Sequence, residues 1–231
     1  MKKLSMSLRE LLANKDFSII VSLPENRLDL AEAAMNAGVD GLKFHINVSH
    51  RASGNDFKGV SEYTDIFQQV REKFSGPIGI VLGDETEKVN QEDTEKLKKL
   101  GFNYYSLYAK HIGSKILLQN NLEHTVAVDD KFQDNQIAAI KNFDVEAIEL
   151  SVVKKDDYGK VLHFEDVLKY RSFRNKTDLP LIVPSQKKLV PEDITLLKKA
   201  GVNAVMLGVV TIGNTAESIY ETVSIFTKNN R

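Results

Sequence analysis

One junction occurs three times in this chain and constrains its fold more than any other feature. Each copy has the end of a predicted helix, a glycine, one apolar residue and the start of an apolar strand, and the three glycines are Gly38, Gly101 and Gly201. A glycine just past a helix is typical of a left-handed cap, after which the chain turns into the next strand. Repetition of this junction predicts successive βα units.

Short apolar runs and segments with helical spacing alternate along the rest of the chain in the same way. We predict strands over 18–23, 39–48, 78–82, 102–108, 124–128, 145–152, 181–183 and 202–208. A short helix is expected over 7–14, at one end of the structure. Eight strands alternating with helices predict a single (β/α)8 TIM barrel over residues 1–231. A doubly wound open sheet is the alternative, but no dinucleotide-binding glycine fingerprint follows the first strand.

Composition narrows the classes of partner and chemistry. The 31 basic and 32 acidic residues nearly cancel, so we expect neither nucleic acid nor a membrane surface as a partner. The absence of cysteine from the sequence excludes disulfide and thiolate chemistry in this chain. No segment reads as a signal peptide or approaches transmembrane length, so a cytoplasmic protein is expected. A homodimer is expected on base rates alone.

Polar residues alternate with apolar ones in the second predicted strand. Lys43, His45 and Asn47 share one parity, and the apolar residues between them share the other. The apolar set should pack under the helices, so the polar set is expected to point into the barrel, where it must be hydrogen-bonded or meet a ligand. The alternatives are an internal polar network, or a shorter strand in which Asn47 already belongs to the following loop.

Further candidates lie at or near the ends of other strands, where the active sites of such barrels are found. Glu149 should project inward from strand six, either paired with Lys43 or free to act as a base. Ser22, Asp84 and Asp129 follow the same logic at the ends of strands one, three and five. Arg51 lies in a polar loop that would close over an anionic ligand. Three tyrosines on strand four are interpreted as core or rim packing.

Metal and cofactor requirements are predicted to be small. The five histidines lie in separate segments without zinc-binding spacing, so no metal site is assigned. Mg²⁺ on Asp84, Asp129 or Glu149 is left open, because carboxylate oxygens are its preferred protein ligands. No cofactor is predicted to be required.

The last two βα junctions are predicted to bind an anion. Strand eight ends in a glycine-bearing turn before a helix, and such a turn presents backbone N–H groups together with the positive end of the helix dipole. Loops after strands seven and eight are the usual phosphate site of this barrel class. The residues assigned to phosphate binding are Ser185, Gly208, Val209, Thr211 and Gly213.

In the order of its elements the chain resembles the ribulose-phosphate-binding barrel group. Segment 79–84 is similar to the third-strand motif of N-acetylmannosamine-6-phosphate 2-epimerases, and 191–208 is similar to their last two units. The resemblance implies a phosphate-binding barrel, but the catalytic set of that family is not kept. At the positions where the family has a lysine, an arginine, an acid, a glycine and a serine, this chain has Leu82, Lys43, Ser185, Gln186 and Val209.

We therefore expect an enzyme that acts on a small phosphorylated metabolite, as an isomerase, an epimerase or a carbon–carbon lyase. In this hypothesis His45 and Glu149 move protons, and Lys43 stabilises an enolate oxygen or forms a Schiff base. A barrel that binds a phosphorylated metabolite without catalysis is the first alternative. An enzyme that uses flavin or a prenyl diphosphate is the second.

Overall fold

The computed structural model describes residues 5–50, 52–119 and 121–230, and its centre is a closed barrel of eight parallel strands. Each strand pairs with the strands before and after it in the chain, and β1 closes the barrel against β8 through the register Ser18 to Ala204. The strands are β1 Ser18–Ser22, β2 Gly41–His45, β3 Ile78–Val81, β4 Tyr104–Tyr108, β5 Glu123–Asp129, β6 Ala147–Ser151, β7 Leu181–Pro184 and β8 Ala204–Leu207. The predicted (β/α)8 TIM barrel is confirmed.

Helices surround the barrel, and several connections contain short 3₁₀ turns. The helices are α1 Leu8–Asn14, α2 Leu28–Asn36, α3 Thr64–Lys73, α4 Gln91–Lys99, α5 Ser114–Leu117, α6 Phe164–Arg174, α7 Asp193–Ala200, α8 Val209–Ile212 and α9 Ala216–Asn229. A small hairpin pairs Ser49–His50 with Asn55–Asp56 in the loop after β2. Among the described residues, no helix combines the length and apolar character needed to cross a bilayer.

The amino-terminal end of the barrel is plugged by α1. Leu8 and Leu12 pack in one cluster with inward-facing residues of the strands, such as Ile20, Tyr104 and Met206. The helix is fastened at the beginning of β5, because the Leu8 N–H donates to the Glu123 carboxylate at 2.9 Å. The predicted short helix at one end of the barrel is therefore present, and the opposite end forms the mouth.

The three repeated junctions share one hydrogen bond that fixes the start of a strand. The residues two positions after the glycines are Asp40, Asn103 and Asn203, and each accepts a hydrogen bond from a backbone N–H at or near the start of β1, β3 or β7. These bonds are 2.8, 2.9 and 2.9 Å long. The glycines themselves have φ of 83°, 89° and 82°, as the predicted left-handed caps require.

Two of these junctions also carry an arginine from a helix that is distant in sequence. Arg71 at the end of α3 donates to the Gly101 carbonyl and to Asn103, both at 3.2 Å. Arg174 at the end of α6 donates to Asn203 at 3.4 Å. Units that are four strands apart in the barrel are thus fastened in the same way.

The second strand is shorter than predicted. It ends at His45, and Asn47 has a left-handed φ of 54°, so the alternation of polar residues continues past the end of the strand. Asparagine tolerates this conformation better than most residues. Its side-chain amide donates to the Leu82 carbonyl at 3.3 Å. The prediction that Asn47 points inward from the strand was wrong, and the alternative of a shorter strand is correct.

Candidate functional site

A buried ion pair crosses the barrel interior between opposite walls. Lys43 on β2 and Glu149 on β6 lie 2.7 Å apart, with 5% and 2% of their surfaces exposed. The ammonium also donates to Ser106 at 3.1 Å, and Thr125 donates to the other oxygen of Glu149 at 2.7 Å. Buried charges need such compensation. The inward direction expected for both side chains is present, and their role in catalysis stays a prediction.

His45 ends β2 one step nearer the mouth, beneath two aromatic rings from the hairpin loop. Its ring centroid lies 4.6 Å from that of His50 and 4.8 Å from that of Phe57, and only 3% of the residue is exposed. Its Nδ1 has no hydrogen-bond partner among the described residues. Burial, aided by His50 and Lys43, keeps the pKa of His45 well below its usual value. His45 is therefore a neutral imidazole at neutral pH.

His50 is held neutral for a similar reason. Burial, together with the Lys43 charge, lowers the pKa of His50 to about 4. Its Nδ1 lies 2.8 Å from the Ser53 hydroxyl. The two histidines and Phe57 thus form a neutral aromatic layer above the charged pair.

The loops after β7 and β8 meet through a direct hydrogen bond. The Gly208 N–H donates to the Ser185 hydroxyl oxygen at 2.7 Å, immediately before α8. Within the described part of the chain, the N–H groups of Val209 and Val210 donate no hydrogen bond. Because the Ser185 oxygen is an acceptor here, its hydrogen remains able to donate to a ligand. These three donors make up the anion seat, which we define as Ser185 with the Val209 and Val210 N–H groups.

The remaining phosphate candidates support the loops around the seat. Thr211 accepts from the Leu189 N–H at 3.2 Å and donates to the Lys187 carbonyl at 3.4 Å, so its hydroxyl is already used. Gly213 has a φ of 72° and leads into α9. The Lys187 ammonium lies 3.1 Å from Asp166 and is buried, so its charge is engaged away from the seat.

Asp84 and Asp129 are each held in a local ion pair at the rim. Asp84 lies 2.8 Å from the Lys88 ammonium and accepts from the Ser49 N–H, while Asp129 lies 2.7 Å from the Lys110 ammonium. Burial alone would raise the pKa of both carboxyls, but these partners outweigh it and lower the pKa of each. No group of three or more histidine or carboxylate side chains is placed to hold a metal ion anywhere in the described ranges. The structure does not bring Asp84, Asp129 and Glu149 together.

Three candidates assigned to substrate binding have different outcomes. Ser22 ends β1 beside Lys43, its Cα partner in the parallel register. Asn47 lines a cleft of about 480 Å³ at the base of the hairpin, which also includes Phe57 and Lys88. Arg51 lies outside the described residues.

Tyr108 belongs to the site, although the sequence analysis assigned the tyrosines of β4 to packing. Tyr104, Ser106 and Tyr108 share the inward parity of β4: Tyr104 lies in the inner cluster and Ser106 contacts Lys43. Tyr108 is partly exposed at the mouth. Burial raises the pKa of Tyr108 to about 12, although its hydrogen bond with Ser151 acts in the opposite direction. The alternation rule applied to β2 and β6 would have found it.

Comparisons with known proteins place the chain by its fold. No family model and no curated protein sequence matches it. Solved structures match at low identity, among them a mutant tryptophan synthase alpha-subunit from Pyrococcus furiosus with 14% identity and a TM-score of 0.72, covering 91% of this chain and 98% of that one.

Two further solved structures match over almost their whole length. KGPDC from Streptococcus mutans, in complex with a D-pentose 5-phosphate, has 12% identity and a TM-score of 0.67, covering 94% of this chain and 98% of that one. Thiamine phosphate pyrophosphorylase from Pyrococcus furiosus has 10% identity and a TM-score of 0.64, covering 97% and 98%. At these identities the likeness establishes the fold alone, and the chain has the (β/α)8 barrel architecture of these enzymes.

Proposed function

We propose that this protein is an enzyme that binds a small phosphorylated metabolite at the carboxyl end of its barrel and acts on it as an isomerase, an epimerase or a carbon–carbon lyase. The observation that carries the proposal is the anion seat, whose backbone N–H groups and Ser185 hydroxyl have unused hydrogens at the ends of β7 and β8. Barrels of the same fold include one solved in complex with a pentose phosphate and one named for thiamine phosphate. Both likenesses support a phosphorylated ligand.

The proposed chemistry is enolisation, which these three reaction classes share. The Lys43 ammonium would stabilise an enolate oxygen, and neutral His45 or the Glu149 carboxylate would accept and return the proton. In a lyase, cleavage of the carbon–carbon bond would generate the same enolate. A Schiff base is less compatible with the geometry, because the Lys43 amine would first have to leave both Glu149 and Ser106. Substrate access to these buried groups requires the rings over His45 to move.

The test of the seat is a matched pair of glycine variants. A Cβ added at Gly208 meets only the Ser185 hydroxyl, at 3.8 Å, so Gly208→Ala should fold while its methyl group crowds a bound anion. The control is Gly113→Ala, where an added Cβ also meets a single atom, at 3.9 Å, before another short helix. Titration calorimetry with D-ribose 5-phosphate, D-ribulose 5-phosphate and inorganic phosphate should show binding by the parent protein and the control. We expect binding to Gly208→Ala to be about tenfold weaker or more, which corresponds to about 1.4 kcal/mol. Equal affinity in both variants, or no binding by the parent protein, would reject the seat.

Catalysis is tested separately from binding. Nuclear magnetic resonance in D₂O should detect deuterium incorporation next to the carbonyl of a bound sugar phosphate, and Lys43→Met should abolish it. Binding without any exchange or turnover would instead support the non-catalytic alternative. That alternative is favoured by one observation, namely that Lys43 and Glu149 already satisfy each other.

A further inference from the structure

We infer that Tyr108 contacts the substrate, with its phenol donating a hydrogen bond to a substrate oxygen while Ser151 supports it from behind. The inference rests on the proposed function, because it concerns the same ligand at the same mouth. It assigns a catalytic residue to β4, the strand from which the sequence analysis took none.

Strand register places Tyr108 next to the buried pair. Tyr108 is the Cα partner of Ala127, and Ala127 is the Cα partner of Glu149. Because the methyl side chain of Ala127 is small, little separates the phenol from the carboxylate within this row. The Glu149 charge contributes to the raised pKa of Tyr108, as expected for groups that face each other.

Tyr108 is also the more accessible member of the row. Glu149 and Lys43 are 2% and 5% exposed, whereas Tyr108 is partly open to solvent at the mouth. A ligand that approaches the charged pair from the mouth therefore reaches the phenol first. With its pKa near 12, the phenol keeps its proton at neutral pH and acts as a donor.

Neighbouring residues fix the position of the ring. The Lys110 ammonium lies 5.4 Å from the centre of the Tyr108 ring, and Asp129 holds that ammonium at 2.7 Å. The hydrogen bond with Ser151 orients the hydroxyl. This arrangement gives Asp129, a sequence candidate for catalysis, a positioning role through Lys110.

The experiment compares two tyrosines of the same strand that face opposite ways. Tyr108→Phe removes the inward hydroxyl, and Tyr105→Phe removes an outward one that donates to the Ile116 carbonyl at 3.2 Å. The probes are D-ribose 5-phosphate and n-pentyl phosphate, which share a phosphate and a five-carbon chain but differ in oxygens. Titration calorimetry gives the ratio of their dissociation constants for each protein.

We expect the parent protein and Tyr105→Phe to prefer the hydroxylated probe, and Tyr108→Phe to lose about tenfold of that preference. Ser151→Ala should lose a smaller part of it, and pentyl phosphate should bind Tyr108→Phe as it binds the parent protein. An unchanged ratio in Tyr108→Phe, with both probes bound, would overturn the inference and leave the anion seat intact. Failure of both probes to bind the parent protein would reject the proposed function and this inference with it.

Discussion

The pair of Lys43 and Glu149 stabilises the barrel only while both partners are present. Each charge is almost fully buried and has the other as its counter-ion. Removing one partner leaves an uncompensated charge in the interior, whereas removing both leaves polar atoms that cost much less to bury. A structural pair and a catalytic pair are therefore separable by measuring stability and turnover on the same variants.

We predict that Lys43→Met and Glu149→Gln each lower the free energy of unfolding by about 3–5 kcal/mol. The double variant should lose clearly less than the sum of the two, because neither charge is then left alone. Urea denaturation at pH 7.5 measures all four proteins of this cycle. Additive losses would show that the two side chains do not stabilise each other.

Single residues differ in how far the sequence could place them. Period-two alternation predicted the inward direction of Lys43 and Glu149, because strand geometry fixes which side chains share a face. The same rule held for Tyr108 but was not applied, since aromatic residues on a strand usually indicate packing. Asn47 was misplaced because an alternating sequence does not reveal where ladder hydrogen bonds stop and φ changes sign.

Secondary-structure elements are joined more firmly here than the local sequence indicates. The glycine caps and the following strands were predictable from short motifs. The arginines that fasten two of the junctions were not, because Arg71 contacts a junction about 30 residues further along the chain, at Gly101 and Asn103. Such contacts arise only once the helices have packed against the barrel.

The junctions offer a matched test of this fastening. Gly101→Ala and Gly38→Ala both introduce a side chain at a left-handed φ, which costs about 1 kcal/mol. At Gly101 the new Cβ would lie 2.5 Å from Arg71 Cδ, whereas nothing lies within 4 Å at Gly38. We predict that Gly101→Ala loses roughly 1–2 kcal/mol more, because Arg71 must give up hydrogen bonds. Equal urea midpoints for the two variants would mean that Arg71 adjusts at no cost.

At the scale of the whole molecule, the barrel was predictable and its contents were only partly so. Eight strand–helix alternations leave few alternatives, and closure by the pairing of β1 with β8 decided between barrel and open sheet. The sequence did not reveal that an aromatic layer covers the charged pair, because His45, His50 and Phe57 come together only through the hairpin.

This aromatic layer should make stability depend on pH. The folded-state pKa of His50 is about 4, below its ordinary value of 6.5, so the unfolded chain binds more protons between these values. Stability is therefore complete above pH 6.5 and declines as the pH falls toward 4. We predict that His50→Gln reduces the loss of unfolding free energy between pH 7.5 and pH 5 by roughly 1–2 kcal/mol. Urea denaturation at both pH values measures this loss, and the same change at exposed His163 is the control. A pH dependence identical in parent and His50→Gln would contradict this origin.

The helix α1, with Leu8 and Leu12 set into the amino-terminal end, turns the barrel into a cul-de-sac. Any molecule that travels inward to Glu149 must come back out through the same doorway. Reaction products would then depart in the reverse order of their depth, and the phosphorylated fragment seated beside α8 would govern when the interior empties.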